Sequence, residues 1–370
     1  MIATAPSGFL SVGQASAKRM ARRATIEGRS GRTLLVHGPA GAGKGAFVDD
    51  LLALAFCSAD DRTARPCNAC RGCRDARARS HPDLVIGSPE LWREQRSVGE
   101  SIVAAARRWL LEVAGAPVIA DRRIVLVEHA DRASEQIQNA LLKTLEEPSD
   151  RHGFILVADD VTRLLPTVRS RCQPLRIGPV PHDELVAHLM DRRRLPADQA
   201  STLARIAHGL TGAAIGYADR TELIDWRRRT QSSLLGQLGH GPADRFEAVR
   251  DLLDDTIPVE PVGPARDGGD DPAEGGGRAP ASVQRGAAMR IVEAWIDLTR
   301  DLLVASVGRA DLAPSGELAP DVSGIGPRLD PGELIGMLRL LEKVSGGLQE
   351  SASPRLALET AMLAWPRSDR

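Results

Sequence analysis

Two groups of residues in this 370-residue chain have the types and spacing for chemistry. The first is the run Gly38-Pro39-Ala40-Gly41-Ala42-Gly43-Lys44-Gly45, which fits G-x-x-x-x-G-K through Lys44. Glycines so spaced let successive backbone N–H groups turn toward a phosphate, and the lysine adds a point charge. Gly38, Gly41, Gly43, Lys44 and Gly45 are therefore the candidate nucleotide-binding residues. The next position of such a loop ordinarily holds a Ser or Thr hydroxyl for Mg²⁺. Gly45 offers no side chain there. The expectation is weak binding of ATP or ADP, weak or absent hydrolysis, and a doubtful place for Mg²⁺.

The second group is Cys57, Cys67, Cys70 and Cys73, four of the five cysteines, within 17 residues. That layout is poor for a spread disulfide framework and good for a metal knuckle. Four thiolates can share one tetrahedral Zn²⁺ with Zn–S distances of about 2.3 Å, and four protein ligands make the ion structural. Pro66 and Gly72 suit the tight turns required. Free buried thiols and a redox C-x-x-C are the alternatives, the latter leaving two cysteines idle. His81 is placed in a loop or cap.

These residues need elements to hold them. Thr33 to His37 is a short apolar run leading into the glycine loop, and the helix after it, Ala46 to Cys57, points its positive dipole end at the same spot. Ile124 to Val127 is β-branched and reads as a buried strand. It ends in Glu128 and His129, where a central strand opens onto a ligand crevice. Glu128 is the candidate to reach a metal; His129 is a poor carboxylate replacement. Ile137, Leu141 and Leu145 mark one face of a helix that Pro148 ends, and Phe154 to Ala158 is a second strand. Strand, helix, strand in so short a stretch is a βαβ unit, so a parallel α/β sheet is expected. A turn then presents Arg169 and Arg171. On its own, Arg171 is as consistent with a surface salt bridge as with stabilising charge at a subunit border.

With 42% hydrophobic and 26% charged residues, a folded protein of two or three domains is expected. No apolar run has membrane-spanning length and no signal-peptide pattern is seen, which points to the cytoplasm. The net charge is −1 and aromatics are 3%, so neither a global field nor stacking platforms favour direct nucleic-acid binding.

The loop, the cysteine insert, His81-Pro82-Asp83, the run NALLKTLEEP (Asn139 to Pro148) and LLPTVRSRC (Leu164 to Cys172) together resemble bacterial clamp-loader subunits of the AAA+ class, over about residues 30 to 215. The resemblance implies an AAA+ phosphate-loop domain with a zinc knuckle, a small helical lid and a C-terminal helical collar. Two branches stand near: the gamma/tau ATPases of DNA polymerase III, and delta-prime, whose site is often degenerate. Gly45, Glu128, His129 and Gly212, the last standing where the family has a sensor arginine, align the chain with delta-prime. On that resemblance Arg171 is an arginine finger for ATP held by a neighbouring subunit. The implied partners are gamma/tau and delta in a hetero-oligomer, the sliding clamp, and primer-template DNA through the complex. No membrane is implied.

The expected organisation is a nucleotide-binding-like domain over 1–179 with the cysteine insert at 57–73, lid and connecting helices over 180–256, a flexible Pro/Gly/acidic linker over 257–285, and a collar over 286–370. Leu223 to Leu253 is expected to be further helix. Two other functions are weighed beside the leading one: an active gamma/tau-like ATPase, and a zinc-knuckle nucleic-acid-binding protein.

Overall fold

The structure, a computed structural model, describes residues 8–26, 33–146, 151–255, 281–313, 318–350 and 352–366. It divides into two compact units, Met1–Gly216 and Tyr217–Arg370.

The first unit runs α1 (Ala15–Ile26), β1 (Thr33–His37), α2 (Lys44–Phe56), α3 (Arg71–Arg77), β2 (Leu84–Gly87), α4 (Pro89–Glu94), α5 (Ile102–Val113), β3 (Arg123–Val127), α6 (Glu135–Glu146), β4 (His152–Ala158), α7 (Pro166–Ser170), β5 (Cys172–Arg176), α8 (His182–Arg193) and α9 (Ala197–Ile206). A final helix, α10 (Thr211–Asp219), crosses the boundary between the units. The five strands form one parallel sheet in the order β2-β3-β4-β1-β5. Alternate side chains leave opposite faces. Leu34, Val36, Ile124, Leu126, Ile155 and Val157 pack with α2 on one face. Leu35, Val125, Val127, Phe154 and Leu156 pack with α5 and α6 on the other. Both faces being covered, the inner strands are apolar without a break, which is why they were legible.

The sheet has one strand that the sequence pattern hides. β5 reads CQPLR, and its Pro174 has no N–H to give. It pairs only with β1, at the sheet edge, where that loss is tolerated.

The second unit contains α11 (Glu222–Gly236), α12 (Pro242–Asp254), α13 (Ala281–Ser306), α14 (Ala319–Ile325), α15 (Pro331–Glu350) and α16 (Pro354–Leu363). The helical span expected over 223–253 is built as two helices. Gly239 turns back with φ +83°, and Pro242 opens the next helix in its first turn, where its missing N–H costs nothing. Trp226, Leu234, Val249, Trp295, Leu341 and Trp365 share one core. The buried Arg245 stitches its end: Nη1 donates to the carbonyls of Met362 (3.0 Å), Leu363 (3.2 Å) and Trp365 (2.9 Å).

Pro148 and residues 257–280 of the expected linker lie outside the described residues, while 281–285 form the start of α13. Among the described residues no helix is long and apolar enough to cross a membrane.

Candidate functional site

The glycine loop joins β1 to α2 at the carboxyl end of the sheet. Gly38 has φ +152° and lies against the Ile177 carbonyl, where an added Cβ would stand 1.8 Å from the oxygen. Only glycine fits there. Gly43 stands at the N-cap of α2 in the left-handed region with φ +91°, so Lys44 begins the helix pointing into the cradle.

Lys44 is buried, and its charge is spent within the chain. Its Nζ donates to the carbonyls of Gly38 (2.7 Å) and Pro39 (2.8 Å) and pairs with Asp159 Oδ1 at 2.6 Å. Asp159 follows β4 and also pairs with Arg132 at 3.4 Å. Burial pushes the Asp159 carboxyl up, but the hydrogen bond and charge of Lys44, with Arg132 behind them, hold it below the usual range. Asp131 braces the turn by accepting from the Asp159 and Asp160 amides at 3.2 and 3.0 Å. The loop is clasped from its other side as well. Two free amides at the start of α10, Gly212 and Ala213, donate to the Gly41 carbonyl at 2.7 and 3.1 Å. A Cβ on Gly212 would sit 2.9 Å from that oxygen, so the lack of a side chain at this position is what permits the close approach.

Glu128 stands at the end of β3, as expected, and faces a guanidinium. Arg79 Nη1 donates to Glu128 Oε1 at 2.7 Å and Arg79 Nε to Asp49 Oδ1 at 3.0 Å. A Cβ added at Gly45 would lie 3.9 Å from Arg79 Nη2. The groups a Mg²⁺ shell would draw on are thus a missing hydroxyl and a carboxylate already paired with a fixed cation. The residues present do not fit Mg²⁺. Burial pushes the Asp49 carboxyl above its ordinary range, and the neighbouring Arg79 offsets this only in part.

The four cysteines do come together. Cys57 is the C-cap of α2, Cys70 the N-cap of α3, Cys73 lies in α3, and all four ligand sulfurs are within 4.8 Å of one another. Sulfurs around a tetrahedral Zn²⁺ are about 3.8 Å apart at a Zn–S distance of about 2.3 Å, so the cluster fits. Backbone amides already point at the sulfurs: Cys67 N to Cys57 Sγ (3.3 Å), Cys70 N to Cys67 Sγ (3.4 Å) and Cys73 N to Cys70 Sγ (3.4 Å). Burial opposes the Cys70 thiolate, but donors from Ser58 and Cys73 outweigh it and draw the thiol down to about 6. Burial pushes the Cys57 and Cys73 thiols up. Gly72 lets α3 press on α2, since a Cβ there would meet the Phe56 carbonyl at 2.1 Å. His81 stands apart from the sulfurs: its ring stacks on Phe56 at 3.7 Å and its Nδ1 accepts from the Asp83 amide at 3.1 Å.

Arg171 is the C-cap of α7 and lies on the surface, away from the chain's own loop chemistry. It pairs with Glu146 at 2.7 Å and donates to the Thr167 carbonyl at 2.9 Å. The turn before it is fixed by buried Gln138, which accepts from the Leu165 amide at 2.8 Å and donates to the carbonyls of Ala133 (3.0 Å) and Arg163 (3.1 Å). Cys172 follows, half-buried, and burial pushes its thiol up to about 12.

Sequence reasoning missed Arg79, Asp49 and Asp159. Asp159 had a signal, because it ends an apolar strand on the side where ligands sit. Arg79 had none: it is one of four arginines between residues 71 and 79.

Among known proteins, a family model described as DNA polymerase III, delta subunit, matches residues 13–181. The chain is 32% identical over 248 residues to DNA polymerase III subunit delta' of Yersinia pestis, covering 62% of this chain and 71% of that protein. It is 31% identical over 188 residues to the Escherichia coli (strain K12) subunit delta', covering 51% and 54%. To the tau subunit of the same strain it is 28% identical over 219 residues, covering 57% of this chain and 33% of that one. The chain spans about half the length of the first of these relatives, those from Escherichia coli (54%) and Bacillus subtilis (51%) included. With the phosphate loop, the four-cysteine insert and the matched length of the Yersinia protein taken together, this chain belongs to the DNA polymerase III delta-prime subunit family.

Proposed function

We propose that this chain serves as the delta-prime-like member of a clamp-loader ring, beside gamma/tau and delta, and helps place a sliding clamp on primer-template DNA. In this reading it is not a motor. The observation that carries it is Lys44: a loop of ATPase type keeps its lysine bonded to its own carbonyls and to Asp159, so the charge that would meet a phosphate is already matched. ATP or ADP then binds weakly at best and is not turned over. Cys57, Cys67, Cys70 and Cys73 hold one Zn²⁺, which supplies a structural cross-link with no open coordination position.

Arg171 does its work outward. In the free chain it rests on Glu146; in the ring it leaves that partner and neutralises charge developing on a phosphate bound next door. An arginine supplied in trans in this way is worth about 10³–10⁵ in rate where it acts fully. The test is ATP turnover of the assembled ring with Arg171→Ala against wild type. Turnover is expected to fall by tenfold or more in proportion to this interface; unchanged turnover would remove the role. Isolated chain that hydrolysed ATP briskly, with loss in Lys44→Ala, would instead establish a gamma/tau-like ATPase.

A further inference from the structure

We propose that the Arg79 guanidinium is the resident cation of this centre, seated between Asp49 and Glu128 so that no divalent cation binds there. Nothing in the family resemblance assigns this residue a role. The inference deepens the non-motor reading and rests on it.

The geometry has three parts. First, the donors are matched one to one: Nη1 to Glu128 Oε1 at 2.7 Å and Nε to Asp49 Oδ1 at 3.0 Å, with Nη2 turned toward the place of the missing hydroxyl at Gly45. The planar fork of arginine suits two carboxylates held on separate elements, here α2 and the end of β3. Second, Arg79 is held in position at a cost. It has φ +54°, a conformation that non-glycine residues rarely adopt and that persists when the surroundings over-determine it. Third, the same segment is anchored two residues earlier. Arg77 Nη2 donates to the fully buried Asp50 at 2.7 Å and to Asn68 Oδ1 at 2.6 Å. Asp50 in turn accepts from the amides of Leu10 and Ser11, each at 2.8 Å. Neighbouring acids on α2, Asp49 and Asp50, are therefore each served by a separate arginine from one short segment.

Removing the Arg79 side chain leaves two facing carboxylates, half withdrawn from water, with Arg77 the nearby cation for Asp49 and that one already paired with Asp50. Such a pair either keeps a proton or takes a hard cation with oxygen ligands. The probe is Mn²⁺, titrated by electron paramagnetic resonance into the full zinc-loaded chain. Wild type is expected to show no saturable Mn²⁺ binding that responds to Glu128→Gln. Arg79→Ala is expected to bind about one equivalent, at least roughly tenfold tighter than wild type, and to lose it in Arg79→Ala/Glu128→Gln. Arg79→Gln, shorter by two atoms, polar and neutral, is expected to behave as Arg79→Ala does and serves if the alanine variant does not fold. The proposal is overturned if wild type binds Mn²⁺ as tightly as the Arg79 variants through Glu128, or if neither variant gains binding. The measurement needs no partner subunit, so its failure leaves the ring assay of Arg171 standing, and failure of that assay leaves this one standing.

Discussion

Replacing Asp83 with asparagine tests how the sheet end is held. Asp83, the acid of His81-Pro82-Asp83, is fully buried, and its carboxylate accepts from three successive amides: Val118, Ile119 (2.9 Å) and Ala120 (2.7 Å). Hydrogen bonds to a charged group are each worth about 1.5–3 kcal/mol net. Asp83→Asn removes the charge and turns at least one amide toward an NH₂ group. Val118 and Ile119 are exposed, so water can meet their amides again, and we take the net cost as about 3 kcal/mol in place of the full set. For a unit of this size each kcal/mol moves Tm by about 2–4 °C, so the midpoint for unfolding of the first unit is expected to fall by about 6–12 °C at pH 7.

The pH dependence gives a second check on the same carboxylate. Burial pushes it up, but the three amides outweigh that and hold it below the usual range. A depressed folded value means that the stabilisation is complete above the unfolded value of about 3.9 and is lost as pH falls through the still lower folded value. The gap between wild type and Asp83→Asn should therefore be constant from pH 7 to about 5 and close as wild type is protonated below that. Scanning calorimetry across this range measures it. A shift under 1 °C at pH 7, against the about 6–12 °C expected, or a gap that stays open in acid, would refute the account.

Two further expectations follow from features of each unit. In the second, Arg245→Met strips the carbonyls of Leu363 and Trp365 of this donor, leaves that of Met362 with its backbone partner, and should cost about 3 kcal/mol; a thermal scan showing no loss would refute it. In the first, purified chain should carry about one zinc, and stripping it with a chelator should expose the cysteine thiols to a colorimetric reagent and lower that unit's unfolding midpoint; metal analysis finding none would refute the knuckle.

What could be read from the chain was what depends on neighbours in sequence. The glycine loop is local geometry, the inner strands are unbroken apolar runs, and the cysteines lie a few residues apart. Residues that act by meeting distant partners were opaque. Arg79 reaches Glu128 across 49 positions, and nothing distinguishes it beforehand from Arg74 or Arg77. The state of Lys44 was equally hidden, because its pairing with Asp159 spans two strands. Edge strand β5 carries a proline and too few apolar residues to announce itself. The helical reading of 223–253 holds apart from a break that a long polar-apolar rhythm masked, at Gly239 and Pro242, whose backbone preferences override it.

Helix α3 ties the two residue clusters of the first unit to each other. Its first turn carries Cys70 and Cys73, and its far end hands Arg77 and Arg79 to α2 and β3. The sulfur cluster and the paired acids are thus two ends of one short rod. A hydroxyl placed at Gly45 would leave the rod where it is, so it would meet a centre whose two acids are still held by Arg79.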